Sequence, residues 1–297
     1  MPPSTWVAAY QKSDTTWTRF LLCRLVFGPF AASTQVDAQV PNIHGNGDHW
    51  LGMLQRGGAH LATHKRYDTL VARYGGCVGG FVHVVRHPAD VLLSEARFFC
   101  LSHAGTVART EGSVTQARVE QMFRDYLTVM LAKGESLRHE RMGMGSWAAH
   151  AQSWLDARDA HPHVLLRYED LKAEPLAEVR RVAAFLGLDP TDAELEAVIA
   201  DCSAERMRAM QEREVAEKQV GSLYYGEQWQ PAYDMGLRFV GRARVGDGLQ
   251  LGEHALARIV DLFGPTMERL GYDADPATPV APRPALREDT PLHDLVC

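Results

Sequence analysis

Short continuous apolar runs alternate along this chain with longer segments of helical spacing. Trp6 to Tyr10 is such a run, predicting a strand over 6–10, and after a polar turn Phe20, Leu21, Arg24, Leu25 and Phe27 fit a mostly buried helix over 15–27. Phe81 to Val85 repeats the pattern of a buried strand, here 80–86, and Pro88 then opens a helix over 88–101. A helix at 146–160, a strand at 163–167 and a helix at 175–187 follow. The last shows Val179, Val182, Ala183 and Leu186 at core spacing and is stopped by Gly187, with Pro190 just beyond. Helices at 191–200 and 252–271 complete the layers. Strands alternating with helices predict an α/β fold: a single domain with a central parallel β-sheet flanked by helices. Three regions lack a clean period: 102–145, 203–236 and a tail over 273–297 with five prolines. The first two are loops or helices suited to closing over a bound molecule. The expected division is one domain over 1–272 followed by the Pro-rich tail.

Composition narrows the function classes. The 297 residues carry a formal charge of -6, without a basic stripe or interleaved aromatic and basic residues, which argues against a nucleic-acid partner. Five cysteines, Cys23, Cys77, Cys100, Cys202 and Cys297, are scattered with no metal-ligand spacing, so no metal is expected. No basic segment followed by an apolar run opens the chain, and no stretch approaches the ~20 apolar residues that span a bilayer. The expectation is a cytoplasmic protein with no membrane partner.

Two segments carry candidate anion chemistry. Gln11-Lys12-Ser13-Asp14-Thr15-Thr16-Trp17 sits between the first strand and the first helix. In that order the unpaired N–H groups of the helix N-terminus point at a bound anion, Lys12 adds a full charge, and Thr15 and Thr16 add hydroxyls. The segment lacks the two glycines and the Gly-Lys-Ser/Thr ending of an ATP-type P-loop, so an ordinary polar turn is the competing reading. In the second segment Arg86 stands at the carboxyl end of a strand and Ser94 about two helical turns further on, where both reach one phosphate in the crevice outside an open sheet. Arg86 serves equally well for an ion pair with Asp90. Together the two segments describe a site for a nucleotide bearing two separate phosphates.

The first segment resembles the Pro-Lys-Ser-Gly-Thr-Thr-Trp signature of sulfotransferases that use 3′-phosphoadenosine 5′-phosphosulfate (PAPS). Val84 to Ser94 resembles the same family's Val-Val-Arg-Asn-Pro-x-Asp-Val-x-x-Ser segment. Ser146-Trp147 with His150 and Trp154, the strand Val164 to Leu171 with Tyr168, and Phe239 to Asp247 resemble three further family elements in the expected order, over residues 5–272. The resemblance implies a P-loop-like phosphosulfate-binding loop of Lys12, Ser13, Asp14, Thr15, Thr16 and Trp17. It implies Arg86 and Ser94 at the donor's 3′-phosphate, Tyr168 near the adenine, and Arg242, Ala243 and Arg244 in a C-terminal phosphate loop. Ala62-Thr63-His64-Lys65 resembles the family's Lys-Thr-His segment, which makes His64 the base, with His44 and His60 as rivals. The implied activity is sulfuryl transfer from PAPS, leaving PAP, to a hydroxyl or phenol of a small-molecule or natural-product acceptor, with Lys12 on the leaving group.

The chain departs from the pattern at Gln11 for Pro, Asp14 for Gly, Ala62 for a second Lys, Ala204 for a Phe over the adenine, and Gly241 for the Arg of the C-terminal loop. Asp14 matters most. Glycine there permits close backbone approach and positive φ, whereas a carboxylate repels a dianion unless it turns away or pairs with a cation. These departures keep a second reading, a weak or inactive PAP(S)-binding regulatory homologue. A third, a P-loop small-molecule kinase, lacks the Gly-Lys-Ser/Thr ending and the strand-terminal Asp for Mg²⁺.

Overall fold

Six consecutive buried residues, Ser4–Ala9, make the strand β1, and burial on both faces is what a central parallel strand requires. The computed structural model describes residues 3–45 and 48–273. The Pro-rich tail lies, from residue 274 on, outside the described residues. After β1 come α1 (Thr15–Phe27), α2 (Ser33–Gln39), α3 (His49–Arg56), β2 (His60–Thr63), α4 (Tyr67–Tyr74), β3 (Val78–Val85) and α5 (Pro88–Glu111). The chain continues through α6 (Gln116–Lys133), α7 (Leu137–Met142), α8 (Trp147–Asp156), β4 (His163–Arg167), α9 (Tyr168–Ala173) and α10 (Pro175–Phe185). It closes with α11 (Asp192–Asp201), α12 (Ala204–Ala216), α13 (Gln230–Asp234) and α14 (Glu253–Arg269).

The four strands pair in parallel in the order β2-β1-β3-β4. Successive connections therefore run in opposite directions from β1, and the crevice between the carboxyl ends of β1 and β3 is the switch point where open α/β sheets bind ligands. Alternation along the strands sorts the core into two layers. Val7, Ala9, Val82, Val84, Val164 and Leu166 face α1, α10 and α11, while Trp6, Ala8 and Phe81 pack on the other side with Trp154 of α8.

The expected α/β architecture is present, with differences in detail. Helix α5 runs ten residues past the expected 101 and stops at Gly112, which takes a left-handed φ of 81°. Helix α8 ends at Asp156, and Arg158–Ala160 turns as a separate 3-10 segment. Strand β2 has no counterpart in the expected set. The aperiodic regions are largely helical: α5 to α7 fill most of 102–145, and α12 and α13 lie within 203–236. Among the described residues no helix is long and apolar enough to cross a membrane.

Phe81 is fully buried and meets the Trp154 ring edge-on at 4.9 Å. Phe81→Ala should lower stability by about 3–5 kcal/mol, because the emptied volume sits between sheet and helix where neither can collapse. Urea denaturation measures this, and a loss under 1 kcal/mol would mean that this layer repacks.

Candidate functional site

The carboxyl ends of β1, β2 and β3 open into one cleft of about 340 Å³. Lys12, Asp14, Thr15, Thr16 and Trp17 enter it from the turn between β1 and α1, His64 from the end of β2, and Arg86 and Ser94 from the end of β3 and the start of α5. Arg242, Ala243 and Arg244 form part of the opposite wall. Of the expected site residues, Ser13 and Tyr168 do not line the cleft. The Ser13 side chain is fully buried beneath the turn, and Tyr168, also buried, lies with its ring 4.3 Å from the Arg86 guanidinium carbon. The rival histidines separate in the same way: His44 lines the cleft and His60 does not.

Two residues of the turn take left-handed backbone, Lys12 with φ 64° and Asp14 with φ 71°. Asp adopts this region more readily than most residues, so the glycine-like geometry survives without glycine. Asp14 is the N-cap of α1, its carbonyl accepting from the Thr18 amide at 3.1 Å, and no side chain caps that helix, which leaves its first amides free for the cleft. Among the described residues, Thr15 Oγ1, Trp17 Nε1 and Arg86 Nε are buried polar atoms of cleft-lining residues that find no partner. Buried polar atoms are normally satisfied, and such a cluster around one turn and one strand end fits a polyanionic nucleotide.

Arg86 is held on several sides. Nη1 donates to the Lys12 carbonyl at 3.5 Å and meets Asp14 Oδ2 at 3.3 Å, while Nη2 donates to the Arg244 carbonyl at 3.1 Å and lies 3.6 Å from Asp90 Oδ2. The pairing with Asp90 is thus real, and it coexists with the site. Asp90 in turn accepts from the amides of Gly246 at 2.9 Å and Gly248 at 2.6 Å, stapling the C-terminal loop to α5. A Cβ at Gly248 would lie 2.4 Å from the Ala89 carbonyl carbon, so this close approach requires glycine. Two tryptophans of the α8 motif set the strand ends: Trp147 Nε1 donates to the Arg86 carbonyl at 3.2 Å, and Trp154 Nε1 to the Lys65 carbonyl at 3.0 Å.

The half-buried Lys12 ammonium lies 4.4 Å from the Phe239 ring centre and 4.9 Å from that of Phe98. Burial, with a smaller push from Arg86, lowers its pKa to about 8 against the pull of Asp14 and Glu95. It remains mainly charged at neutral pH. The buried His64 donates from Nδ1 to the Ala9 carbonyl at 2.8 Å. Its Nε2 lies 3.0 Å from Asn42 Nδ2, whose own Oδ1 accepts from the His44 amide. The Asn42 amide is thereby oriented as a donor, and Nε2 carries the lone pair. Burial lowers the His64 pKa to about 4 despite the Ala9 hydrogen bond, so the ring is neutral and basic at pH 7. His44 stacks on His64 at 5.3 Å.

Ala62 and Ala204 lie off the cleft: Ala62 is fully buried beside Val7 in the sheet, and Ala204 opens α12. Gly241 lines the cleft, and its carbonyl is held by Arg208 at 3.0 Å. Sequence reasoning passed over Asn42, Arg97, Phe98, Arg138 and Arg208. For Arg97 and Phe98 a signal existed, because Asp90, Ser94, Arg97 and Phe98 recur at i, i+4, i+7 and i+8 on one helix face. Arg208, Asn42 and Arg138 act through long-range contacts with no local pattern. Among the described residues no group of three or more His, Cys, Asp and Glu could hold a metal ion.

Comparison with known proteins places these features in context. A family model for the sulfotransferase domain matches residues 80–226, a span that includes Arg86 and Ser94 but neither Lys12 nor His64. Sulfotransferase 1B1 of Mus musculus is 23% identical over 217 residues, covering 70% of this chain and 66% of that protein. Sulfotransferase 2A1 of Rattus norvegicus is 24% identical over 192 residues, covering 63% of this chain and 61% of that protein. The matches thus span less than two thirds of either relative. The fold is similar to that of mouse sulfotransferase SULT7A1, solved in complex with PAP, with a TM-score of 0.57 at 18% identity over 90% of this chain and 84% of that one.

Burial also holds His83, pKa about 3, and His150 in the neutral form, alongside His64. Unfolded, each ring titrates near ~6.5. Below that value the unfolded chain binds protons that the folded chain refuses. The stability contributed by the neutral rings is therefore complete above pH ~6.5 and is lost as pH falls toward about 4. The unfolding free energy from urea titrations should be nearly level from pH 8 to 7 and then fall, by roughly 1 kcal/mol per ring at pH 5.5. A profile flat down to pH 5 would show that these rings titrate normally.

Proposed function

We propose that this chain is a sulfotransferase, as its match to the sulfotransferase domain over residues 80–226 supports, and that it transfers a sulfuryl group from PAPS to a hydroxyl or phenol of a small-molecule acceptor, leaving PAP. The observation that carries this reading is the convergence, in one cleft, of a charged Lys12, a neutral His64 and the Arg86–Ser94 pair from three adjacent strand ends. PAPS, when bound, supplies a sulfuryl group already activated by its anhydride link to phosphate. Thr15, Thr16 and the first amides of α1 hold the 5′-phosphate. Arg86 and Ser94, helped by Arg242 and Arg244, hold the 3′-phosphate. Trp17 bounds the nucleotide side of the cleft. Lys12 neutralises the negative charge that grows on the leaving oxygen, and its lowered pKa still leaves it a cation at neutral pH.

His64 Nε2 takes the acceptor proton. Its Nδ1–H bond to the Ala9 carbonyl fixes the tautomer that leaves Nε2 free of hydrogen, and Asn42 holds the ring edge-on until a hydroxyl arrives. Burial and the nearby cations, which hold the His64 pKa at about 4, make it a weak base. A hydroxyl next to a cation-rich cleft is itself acidified, which eases the transfer. Phe98, Trp229 and Phe239 form an aromatic wall in the same cleft, suited to a flat or apolar acceptor. A second reading, a PAP-binding regulatory homologue without turnover, draws on Asp14, whose carboxylate faces the phosphate-binding arginine.

Thermal stabilisation by PAP but not by ATP with Mg²⁺, together with transfer of label from PAPS in an acceptor screen, tests the assignment. PAP stabilisation without transfer to any acceptor favours the regulatory reading. Lys12→Ala should reduce kcat at least 10³-fold with PAP affinity changed less than tenfold. His64→Ala should reduce kcat about 10²- to 10⁴-fold with donor affinity retained. If His64→Ala instead weakened PAP binding and spared kcat, the residue would be structural.

A further inference from the structure

We propose that the Asp14 carboxylate is a built-in competitor for the donor's 3′-phosphate, so that donor entry exchanges an Asp14–Arg86 ion pair for an Arg86–phosphate pair and Asp14 sets how strongly the site favours nucleotides that carry that phosphate. The inference rests on the donor reading above. Arg86 offers a phosphate a fork of donors, but both Nη atoms are already in use. Nη2 serves the Arg244 carbonyl and faces Asp90, and Nη1 serves the Lys12 carbonyl and Asp14. Among the described residues, Nε alone of the three nitrogens lacks a partner. A two-point grip on phosphate therefore displaces something.

Asp14 is the partner that can leave. Asp90 is almost wholly buried, with 1% of its side chain exposed, and both of its oxygens are tied to the amides of Gly246 and Gly248. Removing it would unfasten the C-terminal loop. The Asp14 side chain is 25% exposed into the cleft, caps no helix, and among the described residues meets no side chain other than Arg86 within ion-pair distance. Its backbone holds a left-handed φ of 71°, and its carboxylate meets Arg86 at the end of β3 at 3.3 Å. If it stayed in place, a dianionic phosphate on Arg86 would sit against a carboxylate, and that repulsion subtracts from donor affinity. A nucleotide with only a 5′-phosphate meets the Asp14 charge from its own turn but does not compete with it for Arg86.

The test compares PAP with AMP, which lacks the 3′-phosphate, by isothermal titration calorimetry on the full chain at one ionic strength. Wild type, Asp14→Asn and Asp14→Gly are measured in parallel. Asn keeps the left-handed turn and the side-chain shape while removing the charge, and Gly removes the side chain altogether. The expected result is that both variants bind PAP roughly tenfold more tightly than wild type, while AMP gains no more than about threefold. Equal gains for PAP and AMP would reduce Asp14 to a general negative charge and overturn the proposal. Weaker PAP binding in Asp14→Asn would overturn it too, since Asp14 would then be orienting Arg86 for the phosphate. Wild-type binding of PAP keeps the donor reading standing in either case. Failure of all three proteins to bind PAP removes both.

Discussion

The cleft is organised around one buried cation. Arg86 leaves the end of β3 with its carbonyl fixed by Trp147, lays its guanidinium against the Tyr168 ring, and reaches carbonyls in the β1–α1 turn and in the C-terminal loop. Four segments distant in sequence thus meet at one planar group, whose several N–H donors impose direction on each. Arg86 is also paired on two sides by carboxylates, which compensates the cost of burying its charge. Lys in its place would supply charge without the fork, and the turn, the loop and α9 would lose their common reference.

Charge elsewhere in the cleft is governed by burial. The same desolvation that leaves Lys12 only partly committed to its proton strips protons from the histidines behind it, so that cations and neutral rings coexist within one small space. The arrangement separates two tasks: the β1 side holds positive charge where an anion is expected, and the β2 side holds a lone pair where a proton must be received. Packing contributes to this pattern, because His150 of α8 and His83 of β3 are buried between helix and sheet with their ring centres 6.3 Å apart, away from the water that would let them charge.

The parts of this site that sequence made legible were those set by local chemistry. Strand β1, helix α1 and the Arg86–Ser94 segment are each specified within about a dozen residues, by a continuous apolar run, by apolar residues at helical spacing, and by a strand-end cation followed by a proline helix start. Strand β2 escaped notice because four residues are too few to show a period. Helix α6 escaped because only Val119, Met122 and Met130 of its eighteen residues are buried, which leaves a thin apolar stripe. The destination of the Asp14 carboxylate could be posed as a question from sequence but not answered, since its partner lies 72 positions away. The same holds for Asn42 against His64 and for Arg208 against the C-terminal loop. What remained hidden was pairing across distance, not composition.

The turn that carries Lys12 has a further property. Two non-glycine residues there hold backbone dihedrals that glycine adopts without penalty, at about 1 kcal/mol or more each. Glycine at either position would relax the chain, and at Lys12 it would also erase the cation. Functional charge and local backbone ease are therefore opposed at Lys12, and the rest of the sheet must be stable enough to carry the difference. A screen for heat resistance alone would be drawn to this turn, and a product relaxed at Lys12 would be the least able to grip an anion.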